Sequence, residues 1–132
     1  MKYSCCLLAF LLLLGVFASC GKGLSAEVQA AASAEKYYQA LYDNHTEDFL
    51  KGCAGADSMP AAYCEELLAC YERHLTKVNG QHQGVSSVHA TRVQMDETLQ
   101  VMQVYLLLCF GDSTQEEIVV PMVKQDEEWK MK

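Results

Sequence analysis

Several signatures of chemistry are missing from this chain, and each absence narrows what it does. No CxxC or HxxxH pair is present among its seven cysteines and four histidines. That excludes the usual zinc spacings. No spaced DxDxDG run exists, which excludes an EF-hand calcium loop. No catalytic or cofactor motif stands out after residue 20, so no cofactor is expected. Internal repeats and low-complexity tracts are also lacking. Basic residues are few: 10 Lys and Arg against 17 Asp and Glu, a net charge of −7. An acidic chain repels phosphate backbones and anionic membrane surfaces, so nucleic acid is excluded as a partner and the charge serves solubility. The longest apolar run, Cys5 to Ala18, is shorter than the roughly 20 residues that a membrane-spanning helix needs.

What that short run does is the most informative reading in the sequence. Lys2 gives a positive start, Cys5 to Val16 an apolar stretch, and small residues follow, the order of a signal peptide. Residues Leu14 to Gly21 resemble a bacterial lipobox, in which the cysteine, here Cys20, is lipidated and becomes the first residue. A plain secretory signal cut after Ser19 is the alternative, and the cysteine favours the lipoprotein. Two or three acyl chains anchor stably where one does not. Gly21 rather than aspartate follows the cysteine, which by resemblance to Gram-negative lipoproteins points to the outer membrane, facing the periplasm. The expected organisation is a signal at 1–19, a tether at 20–25 and one domain at 26–132, long enough for one core and too short for two. The membrane is thus a partner through lipid alone.

Cys53, Cys64, Cys70 and Cys109 stay in that domain, in a compartment that permits disulfides. Four cysteines allow three connectivities. Cys64 and Cys70 share one expected helix and point about 120° apart, so they do not pair across it. Cys53 with Cys64 is the candidate bridge; the alternative is four small buried hydrophobes.

Periodicity orders the elements. Val28, Ala31, Ala34, Tyr38 and Leu41 recur at helical spacing over Ser25 to Tyr42. Thr46 is placed to cap a short second helix ending at Gly52. Pro60 suits the start of a third helix, expected to run to about Val78, stop at Asn79-Gly80 and be well buried. The period then changes to two. Val85 to Met95 alternates, Leu99 to Phe110 is apolar on both sides as in a central strand, and Glu116 to Lys124 alternates again. Pro121 requires an edge or a bulge. Trp129 to Met131 closes the sheet. The fold class is α+β: three N-terminal helices packed on a curved antiparallel sheet of three to four strands.

Taken together, the lipobox, Ala34 to Leu41 with Asp48-Phe49-Leu50, the Gly84–Met95 strand, and Val119 to Lys124 with Trp129-Lys130-Met131 resemble the small lipoproteins of unknown function with a lumazine-binding-like or cystatin-like domain. Those belong to the nuclear-transport-factor-two-like superfamily. The resemblance implies a cone-like fold with a pocket between helices and bent sheet. It implies no function, since that fold carries isomerases, dehydratases, adaptors and binding domains. It also implies that a homodimer paired through the sheet is a candidate assembly.

An isomerase in such a cone needs a buried carboxylate and a phenol. Phenols abound, but Asp96, Asp112 and Asp126 fall in turns and no acidic residue is expected on an inward strand position, so a non-enzymatic protein is expected. The candidate pocket residues are Tyr63 and Tyr71 on the third helix with His89 and Tyr105 on the strands, converging on a small neutral or weakly polar molecule. Asp57-Ser58-Met59 and Asp112-Ser113-Thr114 resemble acceptors of a periplasmic O-glycosylation system, which makes Ser58 and Ser113 candidate sites. The resulting expectation is a membrane-anchored binding or interaction module for an unknown small molecule or protein. The alternatives are a small pocket enzyme and a dimerising accessory subunit.

Overall fold

A computed structural model describes residues 23–132; the signal segment and Cys20 lie outside the described residues. Helix α1 spans Ala26–Tyr42, α2 spans Thr46–Lys51, a 3-10 turn covers Ala56–Ser58, and α3 spans Ala61–His82. Strands β1 (Val85–Asp96), β2 (Val101–Phe110), β3 (Gln115–Gln125) and β4 (Glu128–Met131) follow. They form one antiparallel sheet in the order β1-β2-β3-β4. The α+β architecture read from the sequence is therefore the one observed.

Ser25 starts α1 by accepting a hydrogen bond from the Val28 amide, as an N-cap should. The face α1 buries is Ala30, Ala34 and Leu41. Alanines fully covered at the helix–sheet contact let the two backbones approach closely. The inner sheet face supplies Met102, Val104, Leu106, Leu108, Val120 and Met122 to the same core. Even-numbered residues of β2 face the helices and are buried, while the odd ones from Gln103 to Cys109 are half-exposed on the other face, the period of two a strand imposes. Register shifts at Val85/Ser87 and Ala90/Arg92 mark bulges in β1, which bend the strand. The Ala90 amide at the second bulge donates to the Glu35 carboxylate of α1 at 2.6 Å.

Two expectations about α3 are corrected. It does not stop at Asn79-Gly80; it runs through them, and Gln83 (φ 59°) and Gly84 (φ 76°) end it in left-handed conformations. Nor is it well buried. Only Leu75 and Val78 are buried, because α3 packs on α2 and the start of β1 and stands away from β3. Thr46 is also no cap: it is the first residue of α2, and His45 takes the cap position without a side-chain bond. Pro121 meets its requirement, since its missing N–H falls where β4 ends.

Past β4 the chain is clamped by a short parallel bridge between Cys53 and Met131. The Met131 amide donates to the Gly52 carbonyl at 2.7 Å, and the Ala54 amide to the Met131 carbonyl at 2.7 Å. This clamp fixes where α3 begins, and hence the gap between α3 and the sheet.

Candidate functional site

In that gap lies a cleft of about 470 Å³. Tyr38 and Tyr42 reach it from α1, Phe49 from α2, Tyr71, His74 and Val78 from α3, and Leu108, Phe110, Glu116 and Ile118 from the sheet. Its aromatic wall is a chain of edge contacts. Tyr38 meets Phe49 at 5.1 Å between ring centres and Phe49 meets Tyr71 at 4.9 Å, both near perpendicular, the geometry that ring quadrupoles favour.

The polar groups sit at its mouth. The Tyr42 hydroxyl and His74 Nε2 are hydrogen-bonded at 3.2 Å. Burial, with smaller contributions from Tyr38 and Glu116, pushes the Tyr42 phenol up to about 12. Burial also raises Tyr38 and Tyr71. All three phenols are therefore protonated at neutral pH and serve as hydrogen-bond donors rather than bases. On the far rim His82 stacks on Phe110 at 4.5 Å and holds Asp112 through Nδ1 at 3.1 Å. The Asp112 carboxyl is held below its usual range, first by bonds from the Thr114 hydroxyl and amide and then by His82.

Of the four residues expected to converge on a pocket, the structure brings only Tyr71 to the cleft. Tyr63 is 49% exposed near the start of α3. His89 and Tyr105 lie on the opposite sheet face: His89 pairs with Leu107, and the Arg92 guanidinium covers the Tyr105 ring at 3.7 Å. The bulge between Ala90 and Arg92 shifts the phase of β1, so counting residues along the strand does not assign faces across it. Tyr38, Tyr42, His74 and Glu116 line the cleft and were not among those four. The i, i+4 pair of Tyr38 and Tyr42 was a signal, since it places two phenols on one helix face. Glu116 corrects the expectation that no acid occupies an inward strand position. It pairs with inward Leu108, though it is exposed at the rim and its carboxylate has no hydrogen-bond partner among the described residues.

The structure does not join Cys53 to Cys64. All four described cysteines are free. Cys53 Sγ turns inward to the Phe49 carbonyl at 3.8 Å and the Tyr71 hydroxyl at 3.9 Å, while Cys64 Sγ faces the Met59 carbonyl. Burial raises the Cys53 thiol, and the Tyr71 hydrogen bond only partly offsets it, so this thiol is a poor nucleophile. Ser58 and Ser113 are both exposed, Ser113 at φ 70°. Among the described residues no three His, Cys, Asp or Glu side chains gather as a metal site.

A larger hollow of about 720 Å³ runs between α1 and β4. Several of its polar side chains are already engaged within the fold. Lys130 Nζ bonds Glu128 at 3.0 Å and the Lys51 carbonyl at 3.2 Å, and the Tyr37 hydroxyl donates to the Trp129 carbonyl at 2.9 Å. The smaller aromatic cleft is the better built site.

Comparison with protein-family models finds no match, and neither does comparison with curated proteins. Among solved structures, the chain is similar to a Campylobacter jejuni protein named as an NTF2-like transpeptidase, 13% identical, with a TM-score of 0.60 over 74% of this chain and 92% of that one. At that identity the likeness concerns the backbone alone. It shows an NTF2-like fold, and a fold by itself assigns no function.

Proposed function

We propose that this protein is a lipid-anchored binding module of the periplasm, held to the outer membrane through Cys20, whose cleft takes a ligand with an apolar body and a hydrogen-bonding group. The observation that carries this reading is the cleft itself: three protonated phenols and Phe49 around about 470 Å³, with Tyr42 and His74 bonded at the mouth. Sites for small molecules have this composition, mostly apolar walls with a few placed polar groups. No described helix is long and apolar enough to cross a membrane, so the anchoring rests on the lipobox alone.

The catalytic reading of the same cleft is the weaker one. An enolising enzyme needs its carboxylate desolvated and close to the phenol that receives charge. Glu116 is exposed and unbonded, and the Tyr42 hydroxyl is bonded to His74 instead.

The test is native mass spectrometry of the protein purified from its own host, alongside an Ile118→Trp variant that fills the cleft. A retained mass on the native protein that the variant loses supports the reading. A native protein that carries nothing, and fails to bind the neutral fluorophore N-phenyl-1-naphthylamine, refutes it.

A further inference from the structure

We propose that the ligand of this cleft is an extended peptide, added as a strand to the free edge of β3 with one apolar side chain lowered into the aromatic pocket. The proposal rests on the cleft being a binding site and names the class of molecule it takes.

The edge is open for a definable length. β4 pairs with β3 only from Met122 to Gln125, and the last bond on that side is from the Lys132 amide to the Pro121 carbonyl at 2.9 Å. Main-chain groups alternate sides along an antiparallel strand. Pro121 points toward β4, so Val119 and Glu117 point the same way. At the other end, the Phe110 amide bonds the Thr114 carbonyl at 2.9 Å, which puts the even-numbered residues on the β2 side and agrees with that phase. Val119 and Glu117 thus present amides and carbonyls with no main-chain partner among the described residues. Such a row is a template for another strand.

The neighbours of this edge favour a guest. A strand needs about 4.8 Å beside its partner, and α3 stands off β3 and leaves the cleft between them. Ile118 lies between the two free positions and lines that cleft. In a cross-strand pair, facing residues project to the same side of the sheet. The guest residue opposite Ile118 therefore points at Tyr42 and Tyr71, and an apolar or aromatic side chain suits it. Glu116, next along the inner face and without an ion pair among the described residues, favours a cationic residue nearby. Main-chain bonds would supply affinity and the pocket selectivity, the usual division in strand addition. A second copy of the chain is the poorer occupant. Pairing β3 with itself gathers two copies of Glu116 and Glu117 in one short stretch, with no basic residue between Gln115 and Pro121.

Panning a phage library of random nine-residue peptides on the full chain, solubilised in detergent, tests the idea. The comparison is a Val119→Pro variant. Proline there removes one outward amide, and the free side of an edge strand tolerates it. Expected is enrichment of peptides with alternating apolar residues and a Lys or Arg, and affinity about tenfold lower on Val119→Pro, the value of one lost main-chain bond. A synthetic copy of the best peptide, N-methylated on the residues facing β3, should lose binding to the native chain as well, which covers a variant that folds poorly. If no peptide is enriched, or if proline and N-methylation leave affinity unchanged, the strand-addition proposal is overturned. The cleft reading is judged separately by whether the native chain binds N-phenyl-1-naphthylamine. A dimer that forms only with Val119 intact, without peptide binding, overturns the proposal in favour of a second copy.

Discussion

Gly52→Ala is a demanding test of how the cleft is held open. Gly52 sits at φ −74°, ψ −11°, a helical conformation that any residue adopts, so its backbone does not require glycine. Space does. A Cβ there would lie 2.5 Å from Cδ1 and 2.6 Å from Cγ of Tyr37. The ring cannot turn aside freely, because its hydroxyl donates to the Trp129 carbonyl at 2.9 Å. Forcing a methyl into such a contact costs about 1–3 kcal/mol. Alanine recovers part of this through its better helical propensity, up to about 1 kcal/mol. The net expectation is a loss of about 1–2 kcal/mol, or about 5–10 °C in Tm for a domain of this size. Because the Gly52 carbonyl also accepts from Met131, the strain falls on the clamp that positions α3. Urea melts of the native, Gly52→Ala, Tyr37→Ala and double-variant chains measure it. Removing the ring should abolish the penalty, which gives a coupling of about 1 kcal/mol or more between the two sites. A Gly52→Ala chain as stable as the native one, or a double variant with strictly additive losses, would refute the steric account.

Other outcomes are expected. The Trp129 indole N–H is buried and without a partner among the described residues, at a cost of about 1–3 kcal/mol; in urea melts Trp129→Phe should therefore be close to neutral, while Trp129→Ala loses about 2–4 kcal/mol of packing, somewhat below a full core truncation because the ring is only half-buried. A large loss on Trp129→Phe would mean the N–H is bonded after all. Alkaline pH should unfold the domain earlier than its charge alone implies. Tyr38, Tyr42 and Tyr71 are all raised from 10.0, Tyr42 to about 12. Their contribution is fully present below pH 10 and is lost as pH rises from there through about 12. Tyr42→Phe should flatten that part of a stability-against-pH curve, and an unchanged curve counts against a buried phenol. Cys20→Ala should move the protein into the soluble periplasmic fraction, and a variant that stays in the membrane fraction would count against lipidation.

Sequence pattern carried the architecture because the sheet announces itself through its period. Leu106 and Leu108 on one side of β2, with Tyr105 and Leu107 on the other, read as a central strand, and β2 is central. The Asp126-Glu127 hairpin was legible as charged turn residues; their left-handed φ values of 51° and 66° are what a two-residue turn demands, which Asp tolerates and Glu does not favour. The site was less legible. Face assignment for His89 failed at a bulge that periodicity does not mark. Tyr63 failed for another reason: one apolar stripe along α3 does not say which part of the helix has a partner. Tyr71 succeeded because it lies where α3 meets α2, and Phe49 is its contact.

That failure on α3 is the physically instructive one. Tyr63, Leu67, Tyr71 and Val78 share a helix face, and hydrophobicity alone says such a face is covered. Among these, Val78 is buried; Leu67 and Tyr71 are half-exposed and Tyr63 is open. A helix laid flat on the sheet would have buried more and left no cleft. Here the clamp of Gly52 and Ala54 on Met131 sets one end, and the Gln83-Gly84 turn into β1 sets the other. With its C-terminal end docked on the sheet through His82 against Phe110 and its N-terminal half largely exposed, α3 spans a gap that its own side chains do not fill. The unburied apolar surface is the counterpart of the cleft, and the same gap leaves Val119 and Glu117 of β3 without a main-chain partner. Stability forgone along α3 and the open edge of β3 are thus one structural fact, which is why a bound strand should raise the melting temperature. A ligand at 100 times its Kd contributes about 2.7 kcal/mol. A selected peptide should accordingly stabilise the native chain by about 10 °C at that ratio and Val119→Pro by clearly less at the same concentration; equal shifts in both would show that the peptide acts elsewhere.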